Sequence, residues 1–345
     1  MYKTIVLDAG NSLIKFKRND GVEGEFPHAL KSISDTDLGH IKTSANRLPE
    51  GYARVNGVAY AYGEQAERYG VIDRRVRAAR YTADYYGVFV ALALALSYQR
   101  GGDYALFGSH APGDVDYRDD LMTAAAQQWE VEIENRTTTY DVKYVNTFDE
   151  PQGGLMNVIL TEDGTHYRNP SINGGNSLVI DIGGRTTDWL AVKAGGDVDY
   201  SLKVSTSRGI HDVLEQFETE LKKRYAKEFK AAPDANAKRL RDALTTGVYK
   251  HKGRELDCAA EVDSAVNVLL NAVANAYTTR ARGGADFDSI ILTGGGAGLL
   301  HDKLLPILDH AHVVLADEMG SIHRANVRGG LKLWKLYDSQ GALDE

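Results

Sequence analysis

Three short apolar stretches of the chain each run into a turn of small residues. Residues 5–7, 178–180 and 290–292 are continuously apolar, which is typical of strands buried in a core. After each of the first two turns the chain returns to apolar alternation, which predicts a hairpin partner. After the third turn an apolar segment continues through Leu308 and predicts a helix. The pattern therefore predicts two hairpins and one strand-to-helix turn.

The two predicted hairpins share one sequence pattern. Residues 5–15 read IVLDAGNSLIK and residues 178–188 read LVIDIGGRTTD. In each, an apolar run ends in an aspartate, Asp8 or Asp181, and small and hydroxyl-bearing residues follow. Two copies of one hairpin in one chain predict two related halves that face each other.

Both turns carry groups that suit a polyphosphate. Glycine lets the backbone turn sharply and lets its N–H groups approach an anion. The side-chain donors are Asn11, Ser12, Thr186 and Thr187. Lys15 adds a mobile positive charge. Asp8 and Asp181 suit a phosphate site only if a hard cation separates them from the phosphates, and carboxylates hold Mg²⁺ directly or through its waters.

The third turn consists almost entirely of glycine. Four of the five residues in 294–298 are Gly, so a flat ring or a sugar could lie against the backbone. Such turns are common, and this one gains meaning from its place after the two hairpins. No G-x-x-x-x-G-K-[ST] string occurs, so the phosphate-binding loop of that name is not indicated.

In this order, the three segments resemble the phosphate-1, phosphate-2 and adenosine motifs of the actin/Hsp70/sugar-kinase ATPase superfamily. The resemblance extends from Asp8 to about Gly330 and is closest to the prokaryotic actin-like proteins of the ParM/StbA plasmid-segregation type and their archaeal relatives. Further support comes from residues 57–66, 150–154, 207–213 and 325–330, which resemble other segments of those proteins.

The resemblance implies an α/β fold of two related RNase H-like domains. Each would have a mixed β-sheet flanked by helices, with the nucleotide in the cleft between them. Domain I would comprise residues 1–160, with a small inserted subdomain at about 19–75, and would be completed by a C-terminal helix within 318–345. Domain II would comprise residues 161–317, with an inserted helical subdomain at about 210–285.

The resemblance also implies catalytic roles. Glu150 or Gln152, at the start of the first connecting helix, would orient the water that attacks the γ-phosphate. Glu150 is the first choice, and Gln152 stays open because actin has a glutamine near this point. Asp8 and Asp181 would hold Mg²⁺ through water, and Asp181 is counted among the catalytic residues.

Contacts to ATP or GTP are expected from all three turns and from the start of the following helix. The expected contact residues are Asp8, Gly10, Asn11, Ser12, Lys15, Gly183, Gly184, Thr186, Thr187, Gly209, Gly294, Gly295, Gly296 and Ala297. For Arg185 the sequence favours phosphate contact and solvent exposure equally. Glu218 and Lys222 could contact the purine or ribose, or could form a surface ion pair.

Composition narrows the function class. The net charge of −8 gives no overall attraction to nucleic acid or to an anionic membrane, so neither is expected as a direct partner. The single cysteine, Cys258, excludes an internal disulfide and fits a reducing compartment. No spacing of His, Cys and Glu matches a zinc site. With no signal peptide recognised, the expected location is the cytoplasm.

These observations favour a polymerising ATPase. Its subunits would bind ATP or GTP with Mg²⁺, assemble head to tail into filaments, and hydrolyse the nucleotide. Segregation of plasmid or other DNA would be its use, through a DNA-binding adaptor protein. Two alternatives stay open: a small-molecule kinase of the sugar-kinase type, and a scaffold that binds nucleotide without hydrolysis.

Overall fold

The structure is a computed structural model that describes residues 2–41, 47–69, 79–98, 100–134, 136–230, 235–317 and 320–342. Parts of the expected small subdomain (42–46 and 70–75) and of the expected closing helix (318–319 and 343–345) lie outside these ranges. No helix of the described ranges is long and apolar enough to cross a membrane.

Helices and strands alternate along the chain. The strands are β1 (Lys3–Ala9), β2 (Leu13–Arg18), β3 (Glu23–Pro27), β4 (Leu30–Ser32), β5 (Tyr52–Val55), β6 (Val58–Tyr62), β7 (Gly102–His110), β8 (Gln128–Ile133), β9 (Arg136–Asp149), β10 (Ser177–Ile182), β11 (Thr187–Val192), β12 (Val198–Thr206), β13 (Val248–His251), β14 (Arg254–Asp257), β15 (Ser289–Thr293) and β16 (Val313–Leu315). The α-helices are α1 (Asp35–Ile41), α2 (Glu64–Arg68), α3 (Val88–Ser97), α4 (Arg118–Ala125), α5 (Glu150–Ile159), α6 (Pro170–Asn173), α7 (Ile210–Arg224), α8 (Ala226–Phe229), α9 (Ala237–Thr246), α10 (Ala259–Arg280), α11 (Gly295–Leu308) and α12 (Ala325–Ser339).

The chain forms two compact units. The first unit comprises Met1–Pro170 and Ala316–Glu345, and the second unit comprises Ser171–Leu315. The chain thus passes between the units at residues 170 and 315, whereas the sequence placed its domain boundaries at 160 and 317.

A mixed sheet forms the centre of the first unit. Over the described residues its strand order is β3-β2-β1-β7-β9-β8-β5-β6-β4. Strand β1 pairs antiparallel with β2 and parallel with β7, and β7 pairs parallel with β9. From Thr4 to Ala9 every residue of β1 is buried, as expected for a central strand covered on both faces. The apolar helix α3 lies in the same core, and it continues a π-helical turn at Ala83–Gly87.

The second unit repeats the central part of this topology. Its sheet has the order β12-β11-β10-β15-β16. Strand β10 pairs antiparallel with β11 and parallel with β15, and β15 pairs parallel with β16. The prediction of two related α/β halves is therefore confirmed. The expected helical subdomain at 210–285 contains helices α7 to α10, and also the β13–β14 hairpin.

Helix α12 is fixed to the edge strand β3 by ion pairs within the first unit. Arg328, a buried residue, donates to Glu23 at 2.7 Å. Arg324 donates to Glu25 at 2.9 Å and to Glu23 at 3.0 Å, and His323 lies 3.0 Å from Glu25. These cations lower the pKa of both carboxyl groups from the ordinary value of 4.5 to about 2.

Helix α12 also packs closely on α5. A Cβ atom added to Gly329 would lie only 1.7 Å from the carbonyl oxygen of Gly153. The two backbones therefore touch directly, which only glycine at position 329 permits. Helix α12 thus connects the β3 edge of the sheet to the helix that begins at Glu150.

We expect the ion pairs of Glu23 to stabilise the fold above about pH 4.5. A carboxyl group with a lowered native pKa contributes stability above its unfolded pKa, and this contribution is lost as the pH falls towards the native pKa. Glu23→Gln should lower the free energy of unfolding by roughly 1–3 kcal/mol at pH 7, allowing for partial exposure. Urea titrations should show that the difference in free energy of unfolding between Glu23→Gln and the unmodified protein narrows as the pH falls below 4.5.

Glu255→Gln is the matched control, because Glu255 is exposed and lies 3.6 Å from the exposed Lys250. It should change the free energy of unfolding by less than about 0.5 kcal/mol. If both variants lost the same free energy of unfolding, the ion pairs of Glu23 would contribute no more to stability than an exposed surface pair.

Candidate functional site

The two repeated turns have the same position and length in their hairpins. Asp8 pairs with Lys15 across β1 and β2, and Asp181 pairs with Asp188 across β10 and β11. Each aspartate therefore lies near the carboxyl end of a central strand, where ligands bind in open α/β sheets. The structure thus places Lys15 and Asp188 at equivalent positions, which gives the two turns different charges.

The carboxylate of Asp8 is buried and held by two side chains. It accepts a bond from Lys15 Nζ at 2.7 Å and another from Ser109 Oγ at 3.1 Å. Ser109 reaches it because β7 runs parallel to β1. A buried carboxylate is costly unless it is paired, so Lys15 both neutralises Asp8 and stays next to the turn. The sequence predicted Lys15 at this site but gave no signal for Ser109.

Two consecutive carbonyl groups of the first turn are anchored by side chains. Arg80 Nη2 donates to the carbonyl of Ala9, and His28 Nδ1 lies 2.5 Å from that of Gly10. Since a carbonyl only accepts, the imidazole proton of His28 is on Nδ1, and Nε2 accepts from the Tyr85 hydroxyl at 2.7 Å.

The anchored carbonyls orient the turn. Because a trans peptide is planar and its N–H points opposite to its C=O, the N–H groups of Gly10 and Asn11 point away from Arg80 and His28. Oriented backbone N–H groups in a turn are groups that can bind an anion. Arg80 and His28 lie far from the turn in sequence and in no recognisable motif, so sequence reasoning missed both.

Arg80 is a buried cation close to the predicted catalytic carboxylate. Burial alone would lower the pKa of Arg80, but Tyr81, Glu150, Asp114 and Asp8 raise it above its ordinary value. Its Nε has no hydrogen-bond partner within the described ranges. Arg80 therefore stays charged and keeps one donor position unused.

The structure separates the two candidates for positioning water. Glu150 is the first residue of α5 and follows β9 directly, and its charge acts on Arg80 and on Tyr86. Gln152 instead lies close enough to the hydroxyl of Tyr337 to lower the pKa of that group, which burial raises. Glu150 is therefore grouped with Asp8 around Arg80, while Gln152 contacts helix α12.

The second turn is closed by its own hydroxyl groups. The amide of Gly183 donates to the carbonyl of Thr186 at 2.9 Å. Thr186 Oγ1 donates to Asp188 at 2.8 Å, and Thr187 Oγ1 donates to the carbonyl of Arg208 at 2.9 Å. Both threonine hydroxyls thus make bonds within the protein. Asp188, which is buried, accepts the Thr186 bond and so helps to order the turn.

The start of α7 anchors two carbonyls of the second turn. Amide donors at Ile210 and His211 reach the carbonyls of Gly183 and Gly184 at 3.2 and 2.7 Å. By the same peptide geometry, the N–H groups of Gly184 and Arg185 point away from α7. Each turn therefore has two consecutive carbonyls anchored from outside its hairpin, and the anchored pair lies one residue further along the chain in the second turn than in the first.

Gly209 allows this contact between the turn and the helix. A Cβ atom at Gly209 would lie 2.7 Å from the carbonyl carbon of Gly184. Its amide is capped by Asp212 at 2.9 Å. The structure thus gives Gly209 a packing role beside the second turn, whereas the sequence expected it to contact nucleotide.

His211 is neutral near pH 7. Burial, followed by the positive charges of Arg185 and Arg241, lowers the pKa of His211 from 6.5 to about 4. Arg185 is half-buried, and its charge is close enough to act on this imidazole. It is therefore not fully exposed, and it adds positive charge to the second turn.

The glycine-rich turn is packed against the second hairpin. Thr293 pairs with Asp181 because β15 runs parallel to β10. Gly294 has φ +84° and ψ 156°, and a Cβ atom there would lie 2.2 Å from Asp181 Oδ1. A Cβ atom at Gly296 would lie 2.5 Å from Ile182 Cγ2. These two glycines thus have a packing role around Asp181, where the sequence predicted a bare surface for a ligand.

The remaining residues of this turn differ in exposure. Gly295 begins α11 and is exposed, while Ala297 is fully buried. Gly295 is thus the exposed residue of this group, and its expected contact with nucleotide stays a prediction.

Glu218 and Lys222 form the ion pair that the sequence left as an alternative. Their charged atoms are 2.7 Å apart, and Glu218 also accepts from the amide of Ala235 at 3.1 Å. This arrangement connects α7 to the segment before α9.

Each sheet offers a single aspartate to a cation. Within the described ranges no group of three or more His, Cys, Asp and Glu side chains could hold a metal. Taken separately, Asp8 in the first unit and Asp181 in the second unit each suit a hydrated cation, because Mg²⁺ usually keeps several of its waters. The site can therefore offer oriented amides, Lys15 and Arg80 to phosphate oxygens, with Glu150 close by.

Gly294→Ala should displace Asp181 and destabilise the second unit. The backbone at 294 lies in a region that is essentially restricted to glycine, and the added methyl group overlaps the Asp181 carboxylate. Gly195→Ala is the control, because Gly195 also has a positive φ, of +90°, but no atom lies within 4 Å of an added Cβ.

Urea titrations should show a loss of about 1–2 kcal/mol for Gly195→Ala and at least about 2 kcal/mol more for Gly294→Ala. Equal losses would mean that the contact with Asp181 has no energetic importance.

Comparison with known proteins identifies the fold. A family model described as the C-terminal part of the archaeal, MreB-like actin homologue matches residues 179–305. No curated protein matches the chain by sequence.

Solved structures resemble the chain over nearly its whole length. The archaeal actin homologue Ta0583 is 17% identical with a TM-score of 0.74, and the match covers 97% of this chain and 99% of that one. A ParM from Clostridium botulinum, solved as a 15-stranded filament, is 17% identical with a TM-score of 0.73 and the same coverage. A ParM from Bacillus thuringiensis, solved with AMPPNP, is 12% identical with a TM-score of 0.70, covering 98% of this chain and 99% of that one. The chain is therefore an actin-fold protein, and its residues 179–305 match the C-terminal domain of the archaeal MreB-like actin homologues.

Proposed function

We propose that this protein is a Mg²⁺-dependent ATPase that assembles head to tail into filaments. Its role would be the segregation of plasmid or other DNA, or a related cytoskeletal task, in the cytoplasm. GTP is the alternative nucleotide. The observation that carries the proposal is that each turn has two consecutive carbonyls anchored from outside its hairpin and a buried aspartate near the end of a central strand.

The residues of the first turn suit a nucleotide triphosphate. The amides of Gly10 and Asn11 are oriented, and Lys15 and Arg80 supply positive charge beside them. An unused, buried Arg80 Nε is the kind of donor that a phosphate oxygen would satisfy. Lys15 is only 13% exposed, so its charge is only partly hydrated.

Asp8 and Asp181 would hold Mg²⁺ through its waters, and the cation would neutralise phosphate charge when bound. Lys15 keeps Asp8 oriented, and Gly294 keeps Asp181 oriented. The second turn adds the half-buried Arg185 as a further positive group.

Glu150 is the proposed water-positioning residue. It begins α5, which is held at its other end by Lys332 and Arg168 on the carbonyl of Asn157, at 2.9 and 3.0 Å. Cations at the carboxyl end of a helix stabilise it. The position of Glu150 is thus fixed by contacts along the whole helix, while the reaction itself depends mostly on orientation and charge.

Filament assembly is proposed from the fold and from the solved relatives. A head-to-tail contact that does not close generates a filament from identical subunits. The Clostridium botulinum ParM was solved as a 15-stranded filament, and the Bacillus thuringiensis ParM was solved with AMPPNP. A DNA-binding adaptor would connect the filament to its cargo.

The test is light scattering of the purified protein with Mg²⁺ and ATP, GTP, AMPPNP or ADP, with phosphate release followed in parallel. A nucleotide-dependent rise above a critical concentration, followed by decay as phosphate accumulates, is the expected result. Flat scattering with steady phosphate release would contradict filament assembly and would favour a small-molecule kinase. A rise without phosphate release would favour a non-hydrolysing scaffold.

Glu150→Gln should separate assembly from hydrolysis. It removes the carboxylate but keeps the size of the side chain, so nucleotide binding and the rise in scattering should persist. Phosphate release should fall by about 100-fold or more, because a positioned acid–base group typically contributes that much.

Gln152→Ala is the matched control from the same helix turn. Since Gln152 contacts Tyr337, phosphate release should stay within a few-fold of the unmodified protein. If phosphate release fell in Gln152→Ala but not in Glu150→Gln, Gln152 would be the residue that positions the water.

A further inference from the structure

Positive charge is concentrated in residues 222–254, which we call the basic segment. Its 33 residues contain eleven Lys and Arg and three Asp and Glu, a net charge of +8. The other 312 residues contain 29 Lys and Arg and 45 Asp and Glu, a net charge of −16. The overall value of −8 therefore hides a strongly basic part in an acidic protein.

The described residues of the basic segment, 222–230 and 235–254, pack together in the second unit. They include the end of α7, helices α8 and α9, and β13. The ring of Phe229 lies 5.8 Å from that of Tyr249 and 4.7 Å from that of His251. The hydroxyl of Tyr249 accepts from the amide of Asn236 at 3.0 Å. These contacts join α8, α9 and the hairpin, so the charges are carried on a folded surface.

The cations lie on the outside of this body. Lys222 is half-buried, and the other ten are exposed. Carboxylates engage Lys222, Arg224 and Lys250. Over the described residues, no ion pair engages six of the others. These are Lys223, Lys227, Lys230, Lys238, Lys252 and Arg254.

Positive charge is densest where α9 begins beside the tip of the β13–β14 hairpin. Arg239 Nη1 donates to the carbonyl of Lys250 at 3.0 Å, which holds the first turn of α9 against the hairpin. The tip turns at Lys252 and Gly253, which have φ values of +47° and +78°. Lys252 and Arg254 therefore project from a tight turn next to Arg239 and Lys250.

The side chains that the basic segment exposes favour one class of polyanionic partner over the others. None of its described residues is an exposed large apolar or aromatic side chain. A stable protein interface depends on such anchors, membrane insertion depends on them, and single-stranded nucleic acid is bound largely by stacking on aromatic rings. The phosphates of a nucleic-acid duplex need only an array of cations.

We propose that the basic segment binds duplex DNA directly through its phosphates, without reading the base sequence. The expectation of no direct nucleic-acid contact rested on the net charge of the whole chain, whereas a duplex responds to the local surface. This binding would be separate from nucleotide binding and hydrolysis, since its residues lie outside the three turns.

The test is fluorescence anisotropy of a labelled 20-base-pair duplex with the full chain, at several KCl concentrations between 50 and 200 mM. One variant combines Lys238→Gln, Lys252→Gln and Arg254→Gln, none of which holds the segment together by an ion pair. The control combines Lys143→Gln, Lys193→Gln and Arg282→Gln, which are exposed residues outside the segment. Both variants change the net charge by the same amount.

The first variant should bind the duplex at least about tenfold more weakly at the lowest KCl concentration. The slope of its log binding constant against log KCl concentration should be less steep by about 2–3. The control should stay within about twofold. Equal thermal unfolding midpoints would show that both variants are folded. ATP-dependent light scattering of the first variant separates this proposal from the proposed function, since DNA binding should fall while the scattering persists.

Three outcomes would overturn the proposal. The unmodified protein could fail to bind the duplex at 50 mM KCl. The two variants could lose affinity equally, which would make the effect one of net charge. Vesicles of phosphatidylcholine and phosphatidylglycerol could bind the protein through the segment while the duplex does not, which would identify a membrane as the partner.

Discussion

Parallel pairing of the central strands is the constraint on which the rest of the site depends. It aligns β7 with β1, so that Ser109 reaches Asp8, and it aligns β15 with β10, so that Gly294 lies against Asp181. A carboxylate buried at a strand end is costly unless its surroundings compensate for it. In the first unit Lys15 provides that compensation, so the energetics of the fold and the layout of the site have the same origin.

Orientation of peptide groups is the second common element. The chain uses different parts of the fold to anchor the carbonyls of the two turns, namely Arg80 and His28 in one unit and the amides that begin α7 in the other. Both solutions direct N–H groups away from the anchors because the peptide is planar. A donor set fixed before a ligand arrives needs little reorganisation when negative charge develops.

The role of charge in this protein depends on local groups of residues more than on the net charge of the chain. At the start of α12, Arg324 and Arg328 form ion pairs with Glu23 and Glu25. In the first turn, the cations Lys15 and Arg80 lie inside the protein. In the basic segment, nearly all cations are exposed. The first two groups are compensated by carboxylates within a few ångströms, and most of the third is not. Uncompensated surface charge acts on partners over about the Debye length, roughly 8–10 Å in physiological salt.

The sequence by itself determined the two related α/β halves, the hairpins and the glycine-rich turn, because apolar periodicity and turn residues act over short distances along the chain. Only the tertiary structure brought Arg80, His28 and Ser109 to the first turn, because they come from separate elements with no shared motif. It also gave Gly294 and Gly209 packing roles, and it separated Glu150 from Gln152 by placing one beside Arg80 and the other on Tyr337. Those assignments depend on which strands and helices are neighbours, and the pairing of distant segments is decided by the folded chain as a whole.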